Sequence, residues 1–134
     1  MSTIMIVGAT RGIGLELTKQ YSNEGNQVIA CARDTGNSSL LDEVASASDN
    51  IKIEQLDIAD PVSIESASSR IGEGAIDSVI IVAGWVGGMP DNQTIDNIDI
   101  DEWHNTLNIN TIGPLLVAKA FKSKMAASGK GNFM

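Results

Sequence analysis

An apolar strand that runs directly into a glycine-rich turn constrains this chain more than any other feature. Residues 4–7 are apolar and mostly β-branched, and Gly-Ala-Thr-Arg-Gly-Ile-Gly follows as residues 8–14. Such a strand–turn–helix brings backbone N–H groups and the positive end of a helix dipole up to a phosphate. Gly8 allows the tight turn, Gly12 leaves room for a pyrophosphate, and Gly14 lets the helix pack closely on the strand. The segment predicts a phosphate-binding turn, the alternative being an ordinary strand–turn–helix that uses glycine for geometry alone.

Composition and charge predict a single acidic domain that resides in the cytoplasm. The length of 134 residues suits one domain, residues 1–134, with its own core. The net charge of −8 argues against a nucleic-acid partner. The sequence has no apolar run long enough for a bilayer and no secretory signal before the first strand, so we expect no membrane partner. The single cysteine, Cys31, lies in an apolar strand and is expected in the core.

Strand and helix patterns alternate along the chain. The predicted strands cover residues 4–7, 27–32, 51–57 and 77–83. The first, third and fourth predicted helices cover residues 12–24, 60–71 and a long stretch over 101–125. The second predicted helix is marked by Leu40, Val44 and Ala47, and Asn37 and Ser38 before it are its capping candidates. A loop is expected over residues 84–97, and residues 132–134 begin a further extended segment.

This alternation predicts an α/β fold, a three-layer Rossmann-type parallel sheet with helices on both faces. The expected strand order is 3-2-1-4, with residues 132–134 as a candidate short fifth strand. The binding crevice then lies between strands 1 and 4, at the glycine turn. The spacing of Ile13, Leu17 and Tyr21 predicts the core face of the first helix.

The order of these features resembles the short-chain dehydrogenase/reductase family over the whole chain. Residues 8–14 are similar to the family's cofactor turn, and Asp57-Ile58 is similar to the Asp-Val pair that contacts adenine. Ala83-Gly84 is similar to the end of the family's Asn-Asn-Ala-Gly element. The resemblance implies a nicotinamide dinucleotide cofactor bound by these residues. For Asp57 the alternative is a turn residue without a ligand role.

The segment over residues 108–114 resembles the one that carries the family's catalytic Asn, which implies that Asn110 is catalytic. Pro114 lies four residues later and has no N–H, so the carbonyl of Asn110 loses its helical partner and the helix should kink. In the family this position serves a proton-relay water. The alternative is a proline kink that only aids packing.

Several positions depart from the family pattern. Ile81 and Val82 replace the two asparagines, and Val7 replaces the threonine before the glycine turn. The sequence stops at Met134, before the family's catalytic Ser and its Tyr-x-x-x-Lys pair. The only tyrosine, Tyr21, lies on the first helix. We therefore expect a truncated chain, the cofactor-binding half of such an enzyme, that is inactive alone.

The residues after the second strand favour NADP(H) over NAD(H). Ala32 stands where NAD-preferring members of the family carry Asp, and Arg33 follows it. Arg11 adds a second guanidinium, a group whose planar fork suits a phosphate. The alternative is that both arginines are surface charges. The candidate cofactor-binding residues are Gly8, Thr10, Arg11, Gly12, Ile13, Gly14, Arg33, Asp57, Ile58, Ala83 and Gly84.

The favoured function is that of an NADP(H)-binding oxidoreductase domain, with hydride transfer to or from a carbonyl or alcohol. The alternatives are a non-catalytic dinucleotide-binding or sensor module and a folded oligomeric fragment without a ligand. No metal site is predicted. The strand over residues 79–82 is apolar on both sides, so we expect one of its faces to be exposed to solvent and its outer edge to be unpaired or paired only with residues 132–134. Such surfaces favour association, which predicts a homodimer or larger homo-oligomer.

Overall fold

The chain forms a five-stranded parallel sheet with helices on both faces. The computed structural model describes the backbone of residues 1–134 and every side chain except that of residue 92. The strands are β1 Thr3–Val7, β2 Gln27–Ala32, β3 Ile51–Gln55, β4 Ser78–Ile81 and β5 Asn132–Phe133. Their order is β3-β2-β1-β4-β5, which confirms the predicted order and the fifth strand. β4 ends earlier than expected because the N–H groups of Val82 and Ala83 both turn onto the carbonyl of Val7, at 2.9 Å.

The helices are α1 Gly12–Asn23, α2 Ser39–Ser46, α3 Pro61–Ile71, α4 Ile100–Leu107 and α5 Gly113–Ala127. The long helix predicted over 101–125 is interrupted where its kink was predicted: a π-helical turn, Asn108–Ile112, separates α4 from α5. Pro114 supplies the reason, since it lacks the N–H that an α-helix would direct at residue 110. Short 3-10 turns lie at Thr35–Asn37, Pro90–Gln93 and Ile95–Asn97.

The two expected helix caps have different outcomes. Asp60 caps α3, because its carboxylate accepts the N–H of Val62 at 2.9 Å and Pro61 opens the helix. Ser38 precedes α2, but its hydroxyl donates instead to the carbonyl of Thr35 at 2.9 Å. The 3-10 turn before α2 brings that carbonyl within reach, so the expected side-chain cap of α2 is not formed.

The core lies in two layers, one on each face of the sheet. Helices α1 and α2 cover the face that contains Ile4, Ile6, Val28, Ala30 and Ile80. Helices α3 and α5 cover the face that contains Met5, Val7, Ile29, Cys31 and Val79, and α5 contributes Val117 and Phe121 to this layer. The predicted three-layer arrangement is confirmed. Cys31 is fully buried, and burial raises the pKa of its thiol, as expected for a small core residue.

The buried face of α1 differs from the predicted one. Ile13 is 71% exposed, whereas Leu15, Thr18 and Ser22 are buried. Gly14 sets this rotation, because a side chain there would overlap the carbonyl oxygen of Gly8 and the helix can approach β1 only on that side. The buried hydroxyl of Thr18 is satisfied by the carbonyl of Gly14 at 2.8 Å. Leu17 and Tyr21 are half-buried and pack against this core layer, so the hydrophobic periodicity was wrong for Ile13 and placed the other two at the border of the buried face.

The structure also corrects the prediction that one face of β4 is exposed to solvent. Val79 is fully buried and Ile80 is only 8% exposed, because Ile80 packs into the core layer under α1. The outer edge of β4 is paired with β5. The apolar exposure lies instead on β5 and just beyond it, at Phe133 (37%) and Met134 (60%).

None of the helices in the described part of the chain is both long and apolar enough to cross a membrane.

Asp77 fastens the N-terminal ends of three strands together. Its carboxylate accepts the N–H of Thr3 at 2.9 Å, and its own carbonyl accepts the N–H of Asn132 at 3.0 Å. Lys130 Nζ lies 3.6 Å from the second carboxylate oxygen. The hydrogen bond from Thr3 holds the pKa of Asp77 below its ordinary value of 3.8, and Lys130 acts in the same direction.

We predict that Asp77→Asn lowers the free energy of unfolding at neutral pH but not in acid. A depressed pKa makes the ionised carboxylate stabilising above pH 3.8, and this contribution is lost as the pH falls through the lower pKa of the folded state. The gap between variant and unmodified chain should therefore close below pH 3.8. Urea unfolding across this range measures it, with the exposed Asp49→Asn as a control for loss of one charge. A gap that is the same at neutral and acid pH would contradict the assignment.

Candidate functional site

The glycine turn after β1 is pressed against the end of β4. The N–H groups of Gly8 and Ala9 both donate to the carbonyl of Cys31, at 3.2 and 3.0 Å, which folds the turn over β2. Gly8 has a φ of +95°, and a Cβ added there would lie 2.7 Å from the nitrogen of Ala83. Only glycine fits this position, and the exits of β1 and β4 are held together by that fit.

The other two glycines of the turn have different surroundings. A Cβ at Gly14 would overlap the Gly8 carbonyl oxygen, so α1 packs on the turn as closely as a backbone allows. Gly12 has a φ of +53°, and a Cβ added there would meet no atom within 4 Å. Gly12 therefore borders open space, which a dinucleotide pyrophosphate could occupy without displacing protein atoms.

The start of α1 is suited to an anion. Arg11 is the N-cap residue, and among the described side chains none caps the helix. The first turn contains no acidic residue. Its backbone N–H groups therefore face the space beside Gly12 together with the positive end of the helix dipole. A phosphate would satisfy these donors, so the turn fits the dinucleotide that the sequence implies.

The exits of β2 and β3 carry the expected adenosine-side residues. Ala32 is buried, whereas Arg33 and Arg11 are both exposed, and neither arginine forms an ion pair with a described residue. Asp57 accepts the N–H of Ala59 at 2.9 Å, and Ile58 is buried. One carboxylate oxygen of Asp57 thus closes a local turn, the role expected of Asp57 if it is a turn residue without a ligand.

Asn110 lies against the exit of β4. Its side-chain oxygen accepts the N–H of Trp85 at 2.8 Å, and its side-chain nitrogen donates to the carbonyl of Trp85 at 2.7 Å. A Cβ added at Gly84 would lie 3.6 Å from the same oxygen. The amide of Asn110 is therefore committed to holding the chain just after Ala83-Gly84.

Two further residues of this region were missed by the sequence analysis. Asn108 donates to the carbonyl of Ala59 at 2.9 Å, and Glu102 accepts the indole N–H of Trp85 at 2.8 Å. Asn108 lies two residues before Asn110 in the sequence, and this second asparagine was a signal for the contact with Ala59. No sequence signal pointed to the second contact, because Trp85 and Glu102 are 17 residues apart and belong to different elements.

The candidate residues converge on one edge of the sheet. The glycine turn, Arg33, Asp57 and Ala83-Gly84 follow the C-terminal ends of β1, β2, β3 and β4 in turn. The π-helical turn is tied to the last two exits through Asn108 and Asn110. In the part of the chain that the structure describes, no three His, Cys, Asp or Glu side chains cluster closely enough to hold a metal ion. The site thus lies across the C-terminal ends of the strands, the edge at which parallel α/β sheets bind their ligands.

Comparisons with known proteins give the same fold. The family model for short chain dehydrogenase matches residues 2–133. The short-chain dehydrogenase RED3 of Pyricularia oryzae is 30% identical over 128 residues, which cover 90% of this chain and 50% of that protein. The NADPH-bound carbonyl reductase from chicken fatty liver aligns with a TM-score of 0.85 and 31% identity, over 98% of this chain and 52% of the other. A carbonyl reductase of Pseudomonas aeruginosa in complex with NADP aligns with a TM-score of 0.84 and 32% identity, over 92% of this chain and 56% of the other.

This chain belongs to the short-chain dehydrogenase/reductase family. It spans about half the length of the curated relatives that it matches.

Proposed function

We propose that this chain binds NADP(H) along the C-terminal edge of the sheet. In this proposal it is the cofactor-binding part of an oxidoreductase that transfers hydride between the nicotinamide and a carbonyl or alcohol. The observation that carries the proposal is the open space at Gly12 beside the uncapped start of α1. The bound cofactor supplies the redox chemistry. The chain's own residues bind and orient it: the turn N–H groups hold the pyrophosphate, and the exits of β2 and β3 hold the adenosine.

Preference for the 2′-phosphate rests on charge at the exit of β2. Arg33 is exposed there, Arg11 is exposed in the glycine turn after β1, and Ala32 offers no carboxylate to accept a ribose hydroxyl or repel a phosphate. Arg donates two parallel hydrogen bonds to a phosphate. Two structural neighbours, the chicken and Pseudomonas aeruginosa carbonyl reductases, hold NADPH and NADP, which supports the same preference.

We predict that Gly12→Ala abolishes NADPH binding and that Arg33→Ala weakens NADPH about tenfold, or 1.4 kcal/mol, while sparing NADH. The first change puts a methyl group where the pyrophosphate passes, and the second removes a charged donor to the 2′-phosphate. Titration calorimetry with NADPH and NADH measures the affinities of the two variants and of the unmodified chain.

The matched control is Gly25→Ala. Gly25 also has a positive φ (+81°) and open space around its missing Cβ, but it lies beyond the far end of α1. It should therefore carry the same backbone strain as Gly12→Ala and keep full NADPH affinity. Equal affinity of the unmodified chain for NADPH and NADH would refute the cofactor assignment.

We propose further that these 134 residues do not reduce carbonyl compounds alone. General acid catalysis needs a proton donor positioned at the substrate oxygen. The one tyrosine, Tyr21, lies nine residues after Gly12 on α1, about 13 Å along the helix. It is too far from the turn to serve as that donor.

We predict no NADPH oxidation above background when the purified chain is mixed with a panel of aldehydes and ketones. Gly12→Ala, purified in parallel, controls for contaminating reductases. Sustained turnover that disappears in Gly12→Ala would show that another residue of this chain acts as the acid.

A homodimer is the assembly that we propose, formed through the exposed apolar face of α4. Ile100, Trp103 and Leu107 lie at helical spacing on that face and are 57%, 54% and 48% exposed. Contiguous apolar surface of this kind is uncommon on monomers. The long helix of the family also forms dimers, and the exposed end of β5 at Phe133 and Met134 adds apolar surface.

We predict that Trp103→Lys converts the dimer to a monomer, because a charge would be buried in the apolar interface. Light scattering across a dilution series gives the mass. Ile95→Lys is the matched control, since Ile95 is 86% exposed but lies outside α4. An unmodified chain that is monomeric at every concentration would refute the dimer.

A further inference from the structure

Trp85 is held more tightly than its place in an exposed loop requires. Its backbone N–H and carbonyl are both bonded to the side chain of Asn110, at 2.8 and 2.7 Å. Its indole N–H donates to Glu102 at 2.8 Å. The indole is nevertheless 41% exposed. The position and the direction of the ring are thus fixed while part of its surface remains open to a ligand.

The loop after Trp85 is also fixed onto α4. A Cβ added at Gly87 would lie 3.3 Å from Thr106 Oγ1, so the segment runs along the same side of the helix as Glu102. Further on, the side-chain amide of Gln93 donates to the carbonyls of Val86 and Gly88, at 2.9 and 3.2 Å. The ring therefore belongs to a preorganised surface, and a ligand would lose little free energy in ordering it.

The order of the sheet indicates which part of a dinucleotide would reach this ring. The strands run β3-β2-β1-β4-β5, and the glycine turn that would hold the pyrophosphate follows β1. Arg33 and Asp57, proposed for the adenosine, follow β2 and β3 on one side of that turn. The other end of the ligand must then extend to the opposite side, over the exit of β4. Trp85 is the first large side chain after that exit.

We propose that Trp85 forms the aromatic wall for the nicotinamide end of the bound dinucleotide, and that Glu102 is the positioning residue that fixes its ring. This inference rests on the proposed NADP(H) binding. An indole face suits the flat nicotinamide ring, and it attracts the positively charged ring of the oxidised cofactor more strongly. Glu102 acts through Trp85, because its carboxylate oxygen accepts the indole N–H and stops rotation of the ring.

The test compares NADP⁺ with adenosine 2′,5′-bisphosphate, which carries the adenosine side of the ligand without nicotinamide. By titration calorimetry, Trp85→Ala should lower the affinity for NADP⁺ about fivefold and leave the affinity for the bisphosphate unchanged. Glu102→Ala should weaken NADP⁺ alone, in the same direction. Glu102→Gln should retain the affinity of the unmodified chain, since its amide oxygen can still accept the indole N–H.

A spectroscopic measurement on the unmodified chain removes the dependence on variant folding. The chain has two tryptophans, so its ¹H–¹⁵N spectrum has two indole N–H resonances, from Trp85 and Trp103. They are assigned with Trp85→Phe and Trp103→Phe. NADP⁺ should shift the Trp85 resonance and the bisphosphate should not, while Trp103, on the outer face of α4, serves as the internal control.

Each remaining outcome counts against the inference. If Trp85→Ala lowered the affinities for NADP⁺ and for the bisphosphate equally, Trp85 would only support the fold of the site. A Trp85 resonance that NADP⁺ leaves in place, although calorimetry detects binding, would overturn the inference and leave the proposed function standing. Failure of both ligands to bind the unmodified chain would overturn the proposed function and this inference with it.

Discussion

The close backbone packing at the glycine turn is the constraint on which the rest of this structure depends. Gly8 rests against the backbone of Ala83, and Gly14 rests against the carbonyl of Gly8. The first contact joins the exits of β1 and β4, and the second fixes the rotation of α1 about its own axis. Because α1 is fixed by backbone contact and not by an apolar stripe, its buried face can contain Thr18 and Ser22, and Ile13 can remain in solvent. The same packing leaves Gly12 beside open space.

The interrupted helix is the second element that shapes the site. Pro114 prevents a regular α-helix, and the π-helical turn Asn108–Ile112 takes up the difference. Asn108 and Asn110 then reach the exits of β3 and β4, at Ala59 and Trp85. A regular helix would present these two side chains, two residues apart, about 200° from each other around the axis. The interruption therefore serves a structural purpose that is separate from any chemistry at the Asn110 carbonyl.

Local patterns predicted the sheet order and the fifth strand, because apolar β-branched runs and the glycines between them mark where each strand begins and ends. They placed Leu17 and Tyr21 beside the core but did not predict that α1 also buries Thr18 and Ser22, because these polar residues find hydrogen bonds within the fold, such as Thr18 on the Gly14 carbonyl. They also missed the contact between Glu102 and Trp85. Its geometry depends on how α4 lies over the exit of β4, and that follows from tertiary packing of two segments that carry no shared periodicity.

Helix α4 has only eight residues, yet it would contribute to both proposals about association and cofactor binding. Trp103 belongs to its exposed apolar face, and the neighbouring Glu102 holds the ring of Trp85 on the side of the crevice. Adjacent residues of a helix lie about 100° apart around its axis, so these two side chains serve surfaces on different sides of α4.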